Sequence, residues 1–201
     1  MLTQSRIAEG AERFNICNLL VFPRVMSMKR DERAFFDEVY TDSFPVLFRV
    51  VLRIAGDEET AEEICHETFI RFYKHSARLP DVTQARYWLL RVGKNLAFNT
   101  FKRRGRERTA YQKAWNEPER PQQHADADLL QEETAELVRR AVSRLPKTLR
   151  SVIVLKEYGG LSYDEIATSL GISVGNVKVR VHRARERLAR ELEAEDVHFP
   201  E

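Results

Sequence analysis

The stretch from Leu161 to Leu188, LSYDEIATSLGISVGNVKVRVHRARERL, constrains the fold more than any other part of the chain. Ser162-Tyr163-Asp164-Glu165 is a capping box: the serine hydroxyl takes the amide of Glu165, and the carboxylate reaches back to the serine amide. The helix it opens is short and ends at Gly171, a residue free to adopt the positive φ of a tight turn. Ser173 then caps a second helix. Two short helices crossing steeply through such a turn need a small residue where they meet and an apolar residue to close the core. Ala167 and Val177 stand at those places, so the segment reads as a helix-turn-helix. The buried face of the second helix is Val177, Val181, Ala184, Leu188 and Leu192. Its other face carries Gly175, Lys178, Val179, His182, Arg183 and Glu186. With Arg180, Arg185, Arg187 and Arg190 added, the helix is strongly basic. A solvated basic face is the bland alternative. The capping box together with Ala167, Gly171 and Val177 favours a helix that enters the major groove of DNA.

Apolar residues recur at helical spacing through the rest of the chain. Phe35/Phe36, Val39, Phe44, Val46/Leu47, Val50/Val51 and Ile54 mark a first helix, which Pro45 is expected to break or kink and Gly56 to end. Asp57 caps a second helix with the stripe Ala61, Ile64/Cys65, Thr68/Phe69 and Phe72/Tyr73. After a loop from Ala77 to Val82, a third helix starts near Thr83, with Ala85, Trp88/Leu89, Val92, Leu96 and Thr100 expected inside. It runs into KRRGRER, Lys102 to Arg108, in which five of seven residues are basic. Thr109 to Asp128 has no apolar period and reads as a flexible linker, twenty residues that stretch to roughly 65–70 Å when extended. Beyond it, Leu130, Thr134, Leu137/Val138, Ala141 and Leu145 mark one helix, stopped by Pro146. Leu149, Val152/Ile153 and Leu155 mark another, closed by Gly159-Gly160. No strand pattern survives. The expected fold is all-α, two small helical domains joined by a flexible linker. Residues 1–30 are an N-terminal extension, 31–108 the first domain, 109–128 the linker, 129–195 the second domain and 196–201 a tail.

Charge is segregated. The 33 Lys+Arg and 31 Asp+Glu sum to +2. That near-neutrality hides an acidic helix from Asp57 to Glu67, the basic run after Phe101, the basic helix from Lys178 to Arg190 and an acidic end from Glu191 to Asp196. Tyr87, Trp88, Phe98 and Phe101 are interleaved with Arg86, Arg91, Lys94 and Lys102 to Arg108. Cations with aromatics suit single-stranded nucleic acid, phosphates meeting the cations and unstacked bases the rings. Trp88 is expected in the core and Tyr87 outside. The acidic helix cannot bind DNA and reads as a docking face for a basic protein.

Other classes are excluded by absence. The broken apolar stretch Phe14 to Met26 contains Asn15, Asn18, Pro23 and Arg24, too polar for a signal peptide. It reads as an unstructured extension or as sequence upstream of a start at Met26 or Met28. No apolar run approaches the ~18–20 residues of a membrane span. Cys17 and Cys65 make no disulfide framework, which suits a reducing compartment. Cys65 and His66, neighbours on a helix, do not face each other and are no metal pair. His75, His124 and His198 read as surface residues. There is no Gly-rich phosphate loop, metal-spaced cluster or triad. Catalytic residues, metal ligands and cofactors are all expected to be none.

The residues quoted so far resemble the extracytoplasmic-function sigma factors of bacterial transcription. ETAEEICHETFIRFY, Glu59 to Tyr73, is similar to the family's polymerase-docking helix; ARYWLLRVGKNLAFNTFKRRGR, Ala85 to Arg106, to its promoter-melting helix; and Leu145 to Leu188 to its −35-reading domain. Phe44-Pro45 sits where the family's first helix is usually broken. The resemblance covers roughly Ala34 to Leu192, with its three motifs in the family's order. It implies that Asp57, Glu62, Glu63, His66 and Glu67 meet the clamp helices of the polymerase β′ subunit, with the β flap as a further contact. Arg86, Arg91, Lys94, Asn95, Asn99, Lys102 and Arg103 would meet the −10 element, and Leu79, Pro80 and Asp81 would form the loop that receives a flipped-out base. Ser173, Gly175, Asn176, Lys178, Val179, His182 and Arg183 would read the −35 element. His66 and His182 stand where the family more often has other residues. The implied partners are core RNA polymerase, promoter DNA and an anti-sigma factor. The implied location is the bacterial cytoplasm, or the inner membrane through the anti-sigma factor, with no insertion of this chain. A rival reading is a stand-alone helix-turn-helix regulator that binds operator DNA, with the first domain as a sensor.

Overall fold

A computed structural model describes residues 30–115 and 129–194, which form seven α-helices and one short 3-10 turn. They are α1 (Arg30–Ala55), α2 (Glu58–His75), α3 (Val82–Trp115), α4 (Leu129–Arg144), α5 (Lys147–Glu157), α6 (Tyr163–Leu170) and α7 (Val174–Glu193), with the turn at Ser76–Arg78. No strand occurs among the described residues. The expectations for the N-terminal extension, Cys17, His124, His198 and the tail lie outside the described residues.

Helices α1, α2 and α3 pack on one another around an aromatic core. Phe36 and Phe72 stack at 5.6 Å, Tyr40 lies 4.8 Å from Phe69, and Phe44 abuts Tyr40 at 5.3 Å. Such ring pairs add about 0.5–1.5 kcal/mol each beyond the area they bury. Of the break or kink expected at Phe44-Pro45, the break does not occur: Pro45 lies inside α1, which runs unbroken from Arg30 to Ala55. Proline removes one backbone hydrogen bond and crowds the preceding turn. Burial of Val39, Phe44, Leu47, Val50 and Val51 on both sides of it offsets that loss. Gly56 ends the helix at φ +93. Asp57 caps α2, accepting from Thr60 N at 2.9 Å and Thr60 Oγ1 at 2.6 Å.

Helix α3 departs from the expected stripe. Ala85, Leu89, Leu90, Gly93, Lys94, Ala97 and Phe98 are buried, whereas Trp88, Val92, Leu96 and Thr100 are only half-buried. The helix is covered from two sides, by α1 and α2 on one and by the second domain on another, so its buried arc is wider than one stripe. Gly93 is the point of closest approach: a Cβ there would lie 2.6 Å from Leu47 Cδ1 and 3.2 Å from Thr68 Oγ1. The helix also continues through Trp115, past the expected domain end at Arg108 and into the stretch assigned to the linker. Residues 116–128 remain between α3 and α4, thirteen by subtraction of the helix ends.

Helices α4 to α7 form the second group, with Val152, Val154, Leu155, Leu161, Ile166, Val177 and Val181 in its core. The capping box at Ser162 is present in both directions, Ser162 N to Glu165 Oε2 at 2.8 Å and Glu165 N to Ser162 Oγ at 3.2 Å. Gly171 takes the left-handed conformation at φ 67, ψ 42, and its amide closes α6 on Ala167 O and Thr168 O. Ala167 and Val177 are buried at the helix crossing. These local signals make α6 and α7 a helix-turn-helix.

Candidate nucleic-acid interface

Helix α7 presents one face to the core and the other to solvent. Val177, Val181 and Ala184 are buried, and Leu188 and Leu192 are half-buried. Gly175, Asn176, Lys178, Val179, His182 and Arg183 are all exposed. Val179 is 47% exposed, an apolar side chain standing free among cations. On a groove-reading helix such a residue suits a thymine methyl, while lysine and arginine suit guanine edges and phosphates. Ser173 is exposed as well, and its hydroxyl accepts from Asn176 N at 3.3 Å and caps the helix. His182 lies 3.7 Å from Glu186 one turn on. Arg185 pairs with Glu157 at 2.7 Å and so ties α7 to α5.

Helix α2 carries the acidic face. Glu63 and Glu67 are exposed one turn apart, Glu62 is half-buried, and Glu67 accepts from Arg71 at 2.7 Å. Asp57 is engaged twice, as the helix cap and in a 2.6 Å ion pair with Arg104 of α3. Partial burial pushes its carboxyl up, but the bonds from Thr60 and Arg104 outweigh that and hold it below the usual range. It therefore fastens α2 to the basic tail of α3 as well as bordering the acidic face. His66 is half-buried; burial lowers its pKa and nearby Glu62 opposes that shift. Cys65 is fully buried, its thiol pushed up by burial, then by Glu62. Among the described residues no group of three or more His, Cys, Asp or Glu is placed to hold a metal ion.

Helix α3 splits the residues expected at the −10 element. Asn95, Asn99, Lys102 and Arg103 are exposed. Arg86 is half-buried and sits 3.8 Å from Asp42. Arg91 is turned onto the second domain: its Nε donates to Ser169 O at 2.7 Å and its Nη2 to Thr168 O at 3.1 Å. Those carbonyls end α6, where the helix dipole favours a cation. Lys94 is buried at 7% exposure, against the expectation of an open contact. Its ammonium donates to Asn95 Oδ1 at 3.1 Å and lies 5.9 Å from the Phe98 ring centroid. Phe98 itself is buried at 3%. Lys147 and Arg150 of α5 cover it, at 5.4 and 4.7 Å from its centroid, and Arg150 also lies 4.6 Å from Phe101. Burial, then Lys147 and Arg91, lowers the Lys94 pKa to about 8. Phe101 is 39% exposed at the edge of this cluster. Trp88 is half-buried and stacks on His75 at 5.0 Å, so neither is the plain core or surface residue expected. Tyr87 is half-buried too, its carbonyl accepting from Ser169 Oγ at 3.4 Å.

The loop expected to take a flipped base is compact. Leu79 packs half-buried on the core and Asp81 Oδ1 accepts from Gln84 N at 2.8 Å to cap α3, which leaves Pro80 exposed at the tip. Sequence reasoning missed a second strip of the domain junction. Arg49 of α1 donates to Tyr158 O at 3.2 Å, and the Arg53 guanidinium lies 4.7 Å over the Tyr158 ring. Arginines on an otherwise apolar helix face were the available signal. No helix is long and apolar enough to cross a membrane among the described residues.

Comparison with known proteins places these features in a family. Residues 39–107 match the family model described as Sigma-70 region 2, and residues 135–188 match Sigma-70, region 4. The ECF RNA polymerase sigma factor SigE of Mycolicibacterium smegmatis is 32% identical over 76% of this chain, and the match spans 60% of that relative's length. The ECF RNA polymerase sigma factor SigL of Mycobacterium tuberculosis is 32% identical over 80% of this chain and 90% of its own length. Among solved structures, the sigma factor RpoE in complex with the anti-sigma factor NepR from Bartonella quintana shares the fold. Its TM-score is 0.57 at 24% identity, over 79% of this chain and 96% of that one.

Proposed function

The chain belongs to the extracytoplasmic-function sigma factors, and from that premise we propose how its named surfaces divide the work of transcription initiation. Glu63 and Glu67, with Glu62 and His66 beside them and Asp57 at the helix start, dock on the β′ clamp helices of core RNA polymerase. Their exposed carboxylates on one side of α2 fit a basic partner. The outward face of α7, from Gly175 and Asn176 through Lys178, Val179, His182 and Arg183, reads the −35 duplex. Asn95, Asn99, Lys102 and Arg103, with Arg86, Arg91 and Lys94, hold the −10 strand once it is melted. Pro80, flanked by Leu79 and Asp81, borders the flipped base. Trapping an unstacked strand offsets the few kcal/mol that unstacking each base costs. The polymerase supplies the chemistry and this chain none. Its place is the cytoplasm, with an anti-sigma factor as regulator, and a membrane-bound anti-sigma factor would hold it at the inner membrane.

One observation carries the reading: an exposed groove-reading face and an exposed acidic helix sit on two separate domains of one chain. A stand-alone operator-binding regulator needs no such acidic face. Reach sets a condition on the mechanism. Two sites two turns apart on one duplex face lie ~70 Å from each other. Thirteen residues extend to only about 45 Å, so the domains' own dimensions must supply the remainder. The test is run-off transcription from genomic fragments with core polymerase, with and without this protein. New promoter-specific transcripts are expected, and identical transcripts in both reactions would defeat the proposal.

A further inference from the structure

The exposed face of α3 continues onto the second domain. Asn95, Asn99, Lys102 and Arg106 are exposed and recur every three or four residues, so they form one strip along the helix. At 1.5 Å per residue the strip is about 16–17 Å long. Beside it stands Phe101, 39% exposed, with the Arg150 guanidinium of α5 lying 4.6 Å from its ring centroid. Arg150 is itself buried, and its Nε has no hydrogen-bond partner. Lys147 and Thr148, at the start of α5, are exposed. The Lys147 ammonium lies 5.4 Å from the centroid of Phe98, a ring it shares with Lys94.

This corner lacks a counter-charge. The charged groups felt by Lys94 are Lys147 and Arg91, both cations, and burial alone acts on Arg150. Cations gathered in this way repel one another unless an anion joins them. The neighbouring side chains say which anion. Phe101 offers a ring for stacking, and the carboxamides of Asn95 and Asn99 can both donate to and accept from base edges. The cations also extend along a strip instead of converging on a point. A single strand of nucleic acid supplies phosphates, unstacked bases and length together. An acidic peptide would leave the ring and the carboxamides unused.

We propose that Phe101 and the first turn of α5 complete a two-domain site for single-stranded nucleic acid on the protein without polymerase. Lys147 and Thr148 take a phosphate, a base stacks on Phe101, and the strand continues along Asn95, Asn99, Lys102 and Arg106. The site rests on the reading of α3 as a strand-holding helix and adds residues of the duplex-reading domain to it. Phosphates and ring faces carry no sequence, so the strand need not come from a promoter. Melted DNA and transcripts share this chemistry.

The test measures binding of the full chain, without polymerase, to short oligo-dT and oligo-rU across a salt series. Binding of oligo-dT assigns the site to melted DNA, binding of oligo-rU to transcripts, and binding of both to either. Lys147→Ala should weaken strand binding several-fold and make the slope of log K against log salt shallower by about 0.7, the share of one phosphate contact. Phe101→Leu keeps an apolar side chain but loses the ring. It should weaken strand binding roughly tenfold and leave the salt slope unchanged, because stacking releases no counterion. Neither variant should alter binding to a duplex of the same length, and a cooperative thermal melt shows that each is folded. No strand binding by the wild type, unchanged strand binding in either variant, or equal weakening on the duplex would each overturn the proposal. Lys102→Ala tells the two readings apart. If it weakens strand binding while Lys147→Ala and Phe101→Leu do not, only the two-domain site falls; if it has no effect, the reading of α3 falls as well.

Discussion

Lys94→Met should make the free protein more stable, and by an amount that depends on pH. In the folded chain Lys94 is 7% exposed and its pKa falls from 10.5 to about 8, through burial first and then through Lys147 and Arg91. At ~1.4 kcal/mol per pKa unit, holding that ammonium protonated costs the fold on the order of 3 kcal/mol. The sign follows from proton counting. Below about pH 8 both states hold the proton and the full cost is present. Between about 8 and 10.5 the folded state has released it and the unfolded state has not, so unfolding takes up a proton and stability rises with pH. From pH 7 to 9.5 the wild type should recover about 2 kcal/mol of that cost. Methionine has a similar length, no charge, and a sulfur that packs well against the Phe98 ring. Urea denaturation at constant ionic strength, at both pH values, measures the difference. The variant should be about 2 kcal/mol more stable at pH 7, less any loss of the Asn95 hydrogen bond, and the gap should narrow at pH 9.5. A variant less stable than wild type at pH 7, or a gap equal at both pH values, would refute the view that Lys94 is an unneutralised buried cation.

Charge reversal on the acidic helix, Glu63→Arg with Glu67→Arg, should abolish binding to core polymerase and leave affinity for the −35 duplex intact; loss of both or of neither in a pull-down and a gel-shift would count against the assigned roles. Gly93→Ala forces a methyl to within 2.6 Å of Leu47 Cδ1 and should lower stability by about 1–3 kcal/mol, read as a fall in the urea midpoint. Ser162→Ala removes one arm of the capping box and should cost about 1 kcal/mol, lowering the melting temperature and weakening duplex binding through the helix-turn-helix. Glu165 answers for the other arm. Its carboxyl is held below the usual range by hydrogen bonds from Ser162, so this contribution is present at neutral pH and disappears on acidification through that lowered pKa. Thermal scans of wild type and Glu165→Ala between neutral and acid pH should therefore converge.

What the sequence alone determined is whatever one helical turn can encode. The Asp57 cap, the Ser162 box, the left-handed turn at Gly171 and the alternating faces of α7 are fixed by residues three to six positions apart, and the structure holds all of them. A hydroxyl or carboxylate caps the amides nearest to it whatever the rest of the chain does, so these features stay legible before any tertiary contact exists. The tertiary structure decided the rest. Pro45 stays inside α1 because burial on both sides of it outweighs a local penalty. The buried arc of α3 takes in Lys94 and Phe98 because a second domain closes over it, and a sequence stripe has no means of counting neighbours. The contacts that join the two domains link residues far apart in the chain, Arg91 to Thr168 across 77 positions and Arg49 to Tyr158 across 109. Periodicity identified the cations of α3 as candidate ligands for nucleic acid. Only the packing of one domain against the other put Arg91 on backbone carbonyls and Lys94 out of reach, because which partner a charged side chain meets depends on what the fold brings beside it.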